Sequence, residues 1–161
     1  MKNKWIWLTV IAVSLLLICT ACLNVYNHAQ KPHKKAKEYA ISVAKQESAM
    51  TSVTDFNIYN SEETYYAVIG QTDKKKKLAV FVPKEKKKQP ITKDITKGIS
   101  KEEAVKKLQN DESIEKLLAA RLGIEKSDPV WELVFLDKND QVNYYYLQVN
   151  SGEWSKKIKN I

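Results

Sequence analysis

Histidine, the side chain that most often moves protons at neutral pH, occurs in these 161 residues only as His28 and His33. Everything after them lacks it. That removes serine–histidine and cysteine–histidine nucleophile pairs and the usual zinc ligand sets from the folded region. His28 and His33 themselves read as headgroup-level or linker residues. Cys19 and Cys22 lie within an apolar run and read as small apolar residues of a helix. No glycine-rich phosphate loop, nucleophile elbow or metalloprotease helix motif occurs. Two carboxylates can do glycosidase chemistry, and Glu132 and Asp137 stand on the polar side or at the ends of strand-like runs. Their pattern reads as solvated charge. The expectation is a chain that is not an enzyme, with no catalytic, cofactor-binding or metal-binding residues.

Two groups have the chemistry of binding instead. Lys74, Lys75, Lys76 and Lys77, with Lys84 and Lys86 to Lys88, bracket the strand-like run Leu78 to Val82. Such clusters attract anionic polymers or lipid headgroups, and equally they solubilise turns and blunt a sheet edge. The second group is Trp131, Tyr144, Tyr145, Tyr146 and Trp154. Most of these rings fill a core, and Tyr145 and Trp154 are the ones expected to face outward, as aromatics at interfaces do. Arg121 is the only arginine. Nucleic-acid readers lean on arginine's planar fork, so no nucleic-acid partner is expected.

These residues are held by an N-terminal anchor. Trp5 to Val25 contains 21 residues and no charge. As a helix it is roughly 31 Å long, against a hydrocarbon core of about 30 Å. Its eleven Leu, Ile and Val residues, Leu15, Leu16, Leu17 and Ile18 among them, favour insertion by about 3 to 6 kcal/mol. Trp5, Trp7 and Tyr26 sit at its ends, where amphipathic rings prefer the headgroups. An uncleaved transmembrane helix is the leading reading. Lipidation at Cys22, after Thr20-Ala21, and conventional signal cleavage are the alternatives. Lysines flank both sides, so charge alone does not orient it. Lys2 and Lys4 precede the run, which leaves 25 basic against 19 acidic residues after it, a net charge of +6.

The pattern after the anchor repeats. Tyr39, Ala40, Val43 and Ala44 recur at helical spacing within Ala36 to Met50. Strand-like runs follow at Val53 to Asn60, Thr64 to Gln71 and Leu78 to Val82. Pro32 argues against a helix running through the basic stretch 26–35. In the second half, Ser100 and Glu103 have capping-box spacing. Ala104, Val105 and Leu108 mark a helix face, which Ile114, Leu117, Leu118 and Leu122 resume after Asn110-Asp111. Gly123 fits a left-handed cap. Strand-like runs return at Val130 to Leu136, Val142 to Val149 and Trp154 to Ile158. The expected layout is a tail at 1–4, an anchor at 5–25, a juxtamembrane linker at 26–35, a first module at 36–83, a lysine-rich linker at 84–97 and a second module at 98–161. The fold class is α+β, each module being a helix packed on a three-stranded antiparallel sheet.

The layout resembles the TseB-like cell wall elongation regulators of Gram-positive bacteria, whose tandem modules are related to the PepSY domain. The resemblance rests on Tyr59-Asn60-Ser61-Glu62-Glu63-Thr64-Tyr65-Tyr66 and Ala79-Val80-Phe81-Val82-Pro83. In the second half it rests on Arg121-Leu122-Gly123-Ile124-Glu125, Pro129-Val130-Trp131-Glu132, Tyr144-Tyr145-Tyr146 and Ser151-Gly152-Glu153-Trp154. It implies two small PepSY/cystatin-like modules outside the cell on a single-pass membrane helix with a cytoplasmic N-terminus. It also implies a non-enzymatic role in lateral wall synthesis through a class B penicillin-binding protein, a transpeptidase. The membrane and anionic wall polymers are further expected partners, and the groove between the modules and the sheet surfaces are the expected docking faces. The alternative function is a PepSY-type peptidase-inhibiting module at the cell surface.

Overall fold

A computed structural model describes residues 2–159. Met1, of the expected tail, and Asn160 and Ile161, at the end of the expected second module, lie outside the described residues. The chain divides into two units, Met1–Glu38 and Tyr39–Ile161.

The first unit is helical and belongs to α1 (Lys2–Glu47). Trp5, Trp7, Leu15, Leu16, Leu17 and Ile18 are all more than half exposed, and none of the described residues covers them. Its hydroxyls turn inward on the helix itself: Ser14 Oγ donates to the Val10 carbonyl at 2.9 Å and Thr20 Oγ1 to the Leu17 carbonyl at 2.8 Å. A helix in lipid must satisfy its polar groups in this way. The run is long and apolar enough to cross a membrane by length and composition. Pro32 does not end the helix as expected, and α1 continues through it. A proline removes one hydrogen bond at a cost of about 3 kcal/mol. Here a 46-residue helix flanks that single gap on both sides, and helix propagation is cooperative.

The second unit opens with the last turns of α1 and continues through two antiparallel sheets. The first sheet is β1 (Ser52–Asn60), β2 (Thr64–Gln71), β3 (Lys77–Pro83) and β4 (Ile91–Asp94), in that order. Helix α2 (Lys101–Asp111) follows, then the second sheet of β5 (Lys116–Glu125), β6 (Asp128–Leu136), β7 (Val142–Gln148) and β8 (Trp154–Ile158). All six strand-like runs are strands. Each sheet nevertheless has four strands rather than three. In the first, β4 comes from the segment expected to be a linker, and Ile91 and Thr92 pair with Phe81 and Val80. In the second, β5 comes from the stretch expected to resume a helix. Leu117-Leu118-Ala119-Ala120 is a short apolar run that suits either structure, and a bulge between Leu117 and Ala119 shifts its register.

Strand alternation gives the first sheet two buried faces. Val68, Val80 and Val82 pack under Ala40 and Ala44 at the end of α1 and Met50 just beyond it. Ala67, Ala79 and Phe81 face the other way, into one cluster with Ala104 and Leu108 of α2 and Trp131, Leu133, Phe135, Tyr145 and Leu147 of the second sheet. The two modules thus share a core. The capping box forms as expected: Glu103 N–H donates to Ser100 Oγ at 3.2 Å and Ser100 N–H to Glu103 Oε2 at 2.7 Å.

Candidate functional site

Strands β1 and β5, the inner edges of the two sheets, meet side by side. Asn57 joins them by using its side-chain amide as a piece of backbone. Its Nδ2 donates to the Leu122 carbonyl at 2.8 Å and its Oδ1 accepts from the Leu122 N–H at 3.1 Å. Two residues on, the Tyr59 ring lies against Gly123, where a Cβ would collide with it. Gly123 is therefore a close-approach glycine inside a strand, not the helix cap expected of it. The Tyr59 hydroxyl donates to Glu125 Oε1 at 3.0 Å. Burial and then the Glu125 charge push its ionisation well above the ordinary tyrosine range, so it stays a donor.

Behind this seam, Glu132 is buried, accepting from Arg121 Nη1 at 2.9 Å and from the Tyr146 hydroxyl at 3.0 Å. Tyr146 is also pushed up, by burial first and the Glu132 charge next. Glu132 is thus not the solvated charge expected from its pattern. A buried carboxylate must be paired, and its partners lie eleven and fourteen residues away. Asp137 organises the β6–β7 turn, accepting from the N–H groups of Asn139 at 2.8 Å and Gln141 at 3.1 Å. The turn's amide bonds, led by Asn139, hold its carboxyl below the usual range.

Along the seam opens a cleft of about 900 Å³. One wall is the β1–β2 turn, Asn60 to Glu63; another is the β5–β6 turn, Glu125 to Asp128; its floor takes in Tyr146, Gln148, Ser155 and Lys156. Lys126 and Ser127 hold φ of 48° and 74°, the left-handed pair of a tight hairpin turn. Glu63 accepts from Lys88 Nζ and the Tyr65 hydroxyl, and the Lys88 bond leads in holding its carboxyl low. The cleft therefore presents both signs of charge, Glu62, Glu63, Glu125 and Asp128 with Lys126 and Lys156, around a partly aromatic floor. Its tyrosine protons are held by carboxylates as donors, which suits recognition rather than nucleophilic attack.

The residues singled out in the sequence do not converge on this cleft. Lys74, Lys75, Lys76 and Lys77 are exposed at the β2–β3 turn and the start of β3, with Lys75 left-handed at φ 59°. Lys76 borders a separate hollow of about 520 Å³ with Lys97 and Asn150. Trp154 is 62 % exposed at the start of β8, next to the cleft's Ser155 and Lys156. Tyr145 does not face outward as expected: it lies in the shared core at 1 % exposure, its hydroxyl donating to Asp111 at 2.6 Å. Alternation separates Tyr145 from Tyr144 and Tyr146 but does not say which face the helix covers. Sequence reasoning missed Asn57 and Tyr59. Their partners are 65 and 66 residues away, and no local pattern marks such pairs.

Comparison with known proteins places this architecture. Residues 39–83, the last turns of α1 through β3, match the family model of the cell wall elongation regulator TseB-like domain. Over 160 residues the chain is 29% identical to the probable cell wall elongation regulator TseB of Bacillus subtilis (strain 168), covering 99% of this chain and 98% of that protein. The solved structure of the YpmB protein from Bacillus subtilis superposes with a TM-score of 0.66 at 30% identity, over 76% of this chain and 95% of that one. The chain belongs to the TseB-like family of cell wall elongation regulators.

Proposed function

We propose that this chain is a non-enzymatic, membrane-anchored regulator of cell wall elongation that acts by docking on the extracytoplasmic part of a class B penicillin-binding protein. The observation that carries the reading is the near full-length similarity to a protein named as a cell wall elongation regulator. The helix Lys2–Glu47 supplies the tether, with the N-terminus in the cytoplasm and Tyr39–Ile161 outside, as modules of the PepSY/cystatin kind. Holding both partners at one membrane raises their effective concentration, so a weak contact suffices. The cleft between the sheets is the docking face, because its walls come from two turns whose side chains, Glu125 apart, are exposed and of mixed charge. The lysines Lys74 to Lys77 add attraction to anionic wall polymers.

A photo-crosslinking residue placed at Glu62 or Lys126, one on each wall, tests this in living cells. The expected product is an adduct with the transpeptidase from both positions and none from Thr92 on β4. Adducts with a surface protease alone would point to the peptidase-inhibiting alternative, and the absence of any transpeptidase adduct would overturn the proposal.

A further inference from the structure

Two four-stranded sheets have four edges, and three of them are closed or short. β1 and β5 seal each other through Asn57 and Tyr59. β4 is four residues long, and every second one is half-buried. β8 is different. It ends the second sheet, and its first four residues are exposed. Its outer N–H and C=O groups form a template for another strand.

The side chains on that edge select the occupant. Trp154 is 62 % exposed; beyond the anchor, the only other exposed large apolar side chain among the described residues is Leu118, at 45 %. An exposed tryptophan at a sheet edge supplies contact area at little entropic cost. Here it is partly fixed, because the Lys157 ammonium lies 5.7 Å from its ring centre while bonding Glu112 at 2.8 Å. Lys157 and Lys159 share that single carboxylate, and Lys156 has no ion-pair partner among the described residues. A second copy of the chain would bring lysine rows together, and like charges on facing strands repel. An acidic strand would gain at each step.

We propose that the outer edge of β8 receives an extended acidic segment of a partner protein as an added strand, with Trp154 as its apolar anchor. This rests on the reading that the chain works by docking, and it names the chemistry of one docked segment.

The test uses the full chain in nanodiscs and an eight-residue peptide alternating Glu and Val. A peptide with Lys in place of Glu and an anionic lipid vesicle serve as comparisons. Hydrogen exchange and titration are read together. The expected result is binding of the Glu–Val peptide with at least tenfold slower exchange across Trp154–Ile158. Lys156→Glu and Trp154→Ala should each weaken it at least fivefold while melting like the parent chain. The Lys–Val peptide should not bind, and the vesicle should leave the exchange of β8 unchanged. No binding up to millimolar peptide, protection elsewhere in the domain, equal binding of both peptides or indifference to both substitutions would overturn the proposal. Ser155 and Lys156 of β8 also floor the cleft, whereas Trp154 does not line it. Crosslinking from Glu62 and Lys126 reads the cleft walls and Trp154→Ala reads the outer edge, so the two readings can fail separately.

Discussion

The inner seam and the outer edge of this domain are built from the same material, strands at the ends of sheets, and they are finished in opposite ways. At the seam, an asparagine amide satisfies the backbone of the facing strand, and a tyrosine lies over a glycine whose added Cβ would collide with the ring. At β8 Trp154 and Lys156 stand in solvent, and Lys157, with Lys159 just beyond the strand, shares the single Glu112 carboxylate. The contrast separates residues that hold the two modules together from residues left for something else. It also predicts that stability concentrates at the seam and drains away toward β8.

The largest break in that contrast should come from Gly123→Val. Its side chain must displace the Tyr59 ring, and overpacking of this kind costs about 3 kcal/mol. In thermal unfolding followed by circular dichroism, the midpoint should fall by roughly 10 °C. Asn57→Ala should come next. It leaves the N–H and C=O of Leu122 without their side-chain partner, at a cost of about 2 kcal/mol, read as a lower denaturant midpoint at an unchanged slope.

The β8 side should respond less. Lys157 first, then Lys159, hold the Glu112 carboxyl below its ordinary value of 4.5. The carboxylate is the favoured form in the folded state, so the pair stabilises fully above pH 4.5 and the contribution disappears as pH falls through the lower folded value. Glu112→Gln should therefore cost under about 1 kcal/mol at pH 7. The difference from the parent should shrink in melts run below pH 4.5. Smallest of all, Trp154→Ala should move stability by no more than about 0.5 kcal/mol. A large loss there would place Trp154 with the seam residues and remove the contrast.

Much of this was legible in the sequence, for physical reasons that differ by element. The apolar N-terminal helix is legible because length and apolarity alone mark a candidate span. The α2 start is a local hydrogen-bond motif, and Ser100 and Glu103 spell it out three residues apart. Six of the eight strands show as runs rich in Val, Ile, Tyr, Phe and Trp between turn residues. What stayed hidden was non-local. Leu117 to Leu122 suits helix or strand, and only pairing with β6 decides it. Ile91–Asp94 is too short to show a period and exists because β3 offers it an edge. Tyr145 and Tyr146 are both buried, one under α2 and one under Tyr59, so alternation alone could not choose an exposed face. Trp154 was legible because its neighbours Ser155, Lys156 and Lys157 are all polar. The seam was not, since Asn57 and Leu122 look like an ordinary strand asparagine and leucine until the modules meet.

The central claim is that this protein works by contact across its cleft. The most direct measurement is copurification of the transpeptidase from solubilised membranes with the tagged full chain, compared with a Glu62→Lys, Lys126→Glu double variant. Both substituted side chains are exposed, so the variant should melt like the parent. The account predicts that the parent retains the transpeptidase and that the variant loses at least nine-tenths of it. Equal retention by a fully folded variant, or no transpeptidase with the parent, would contradict it.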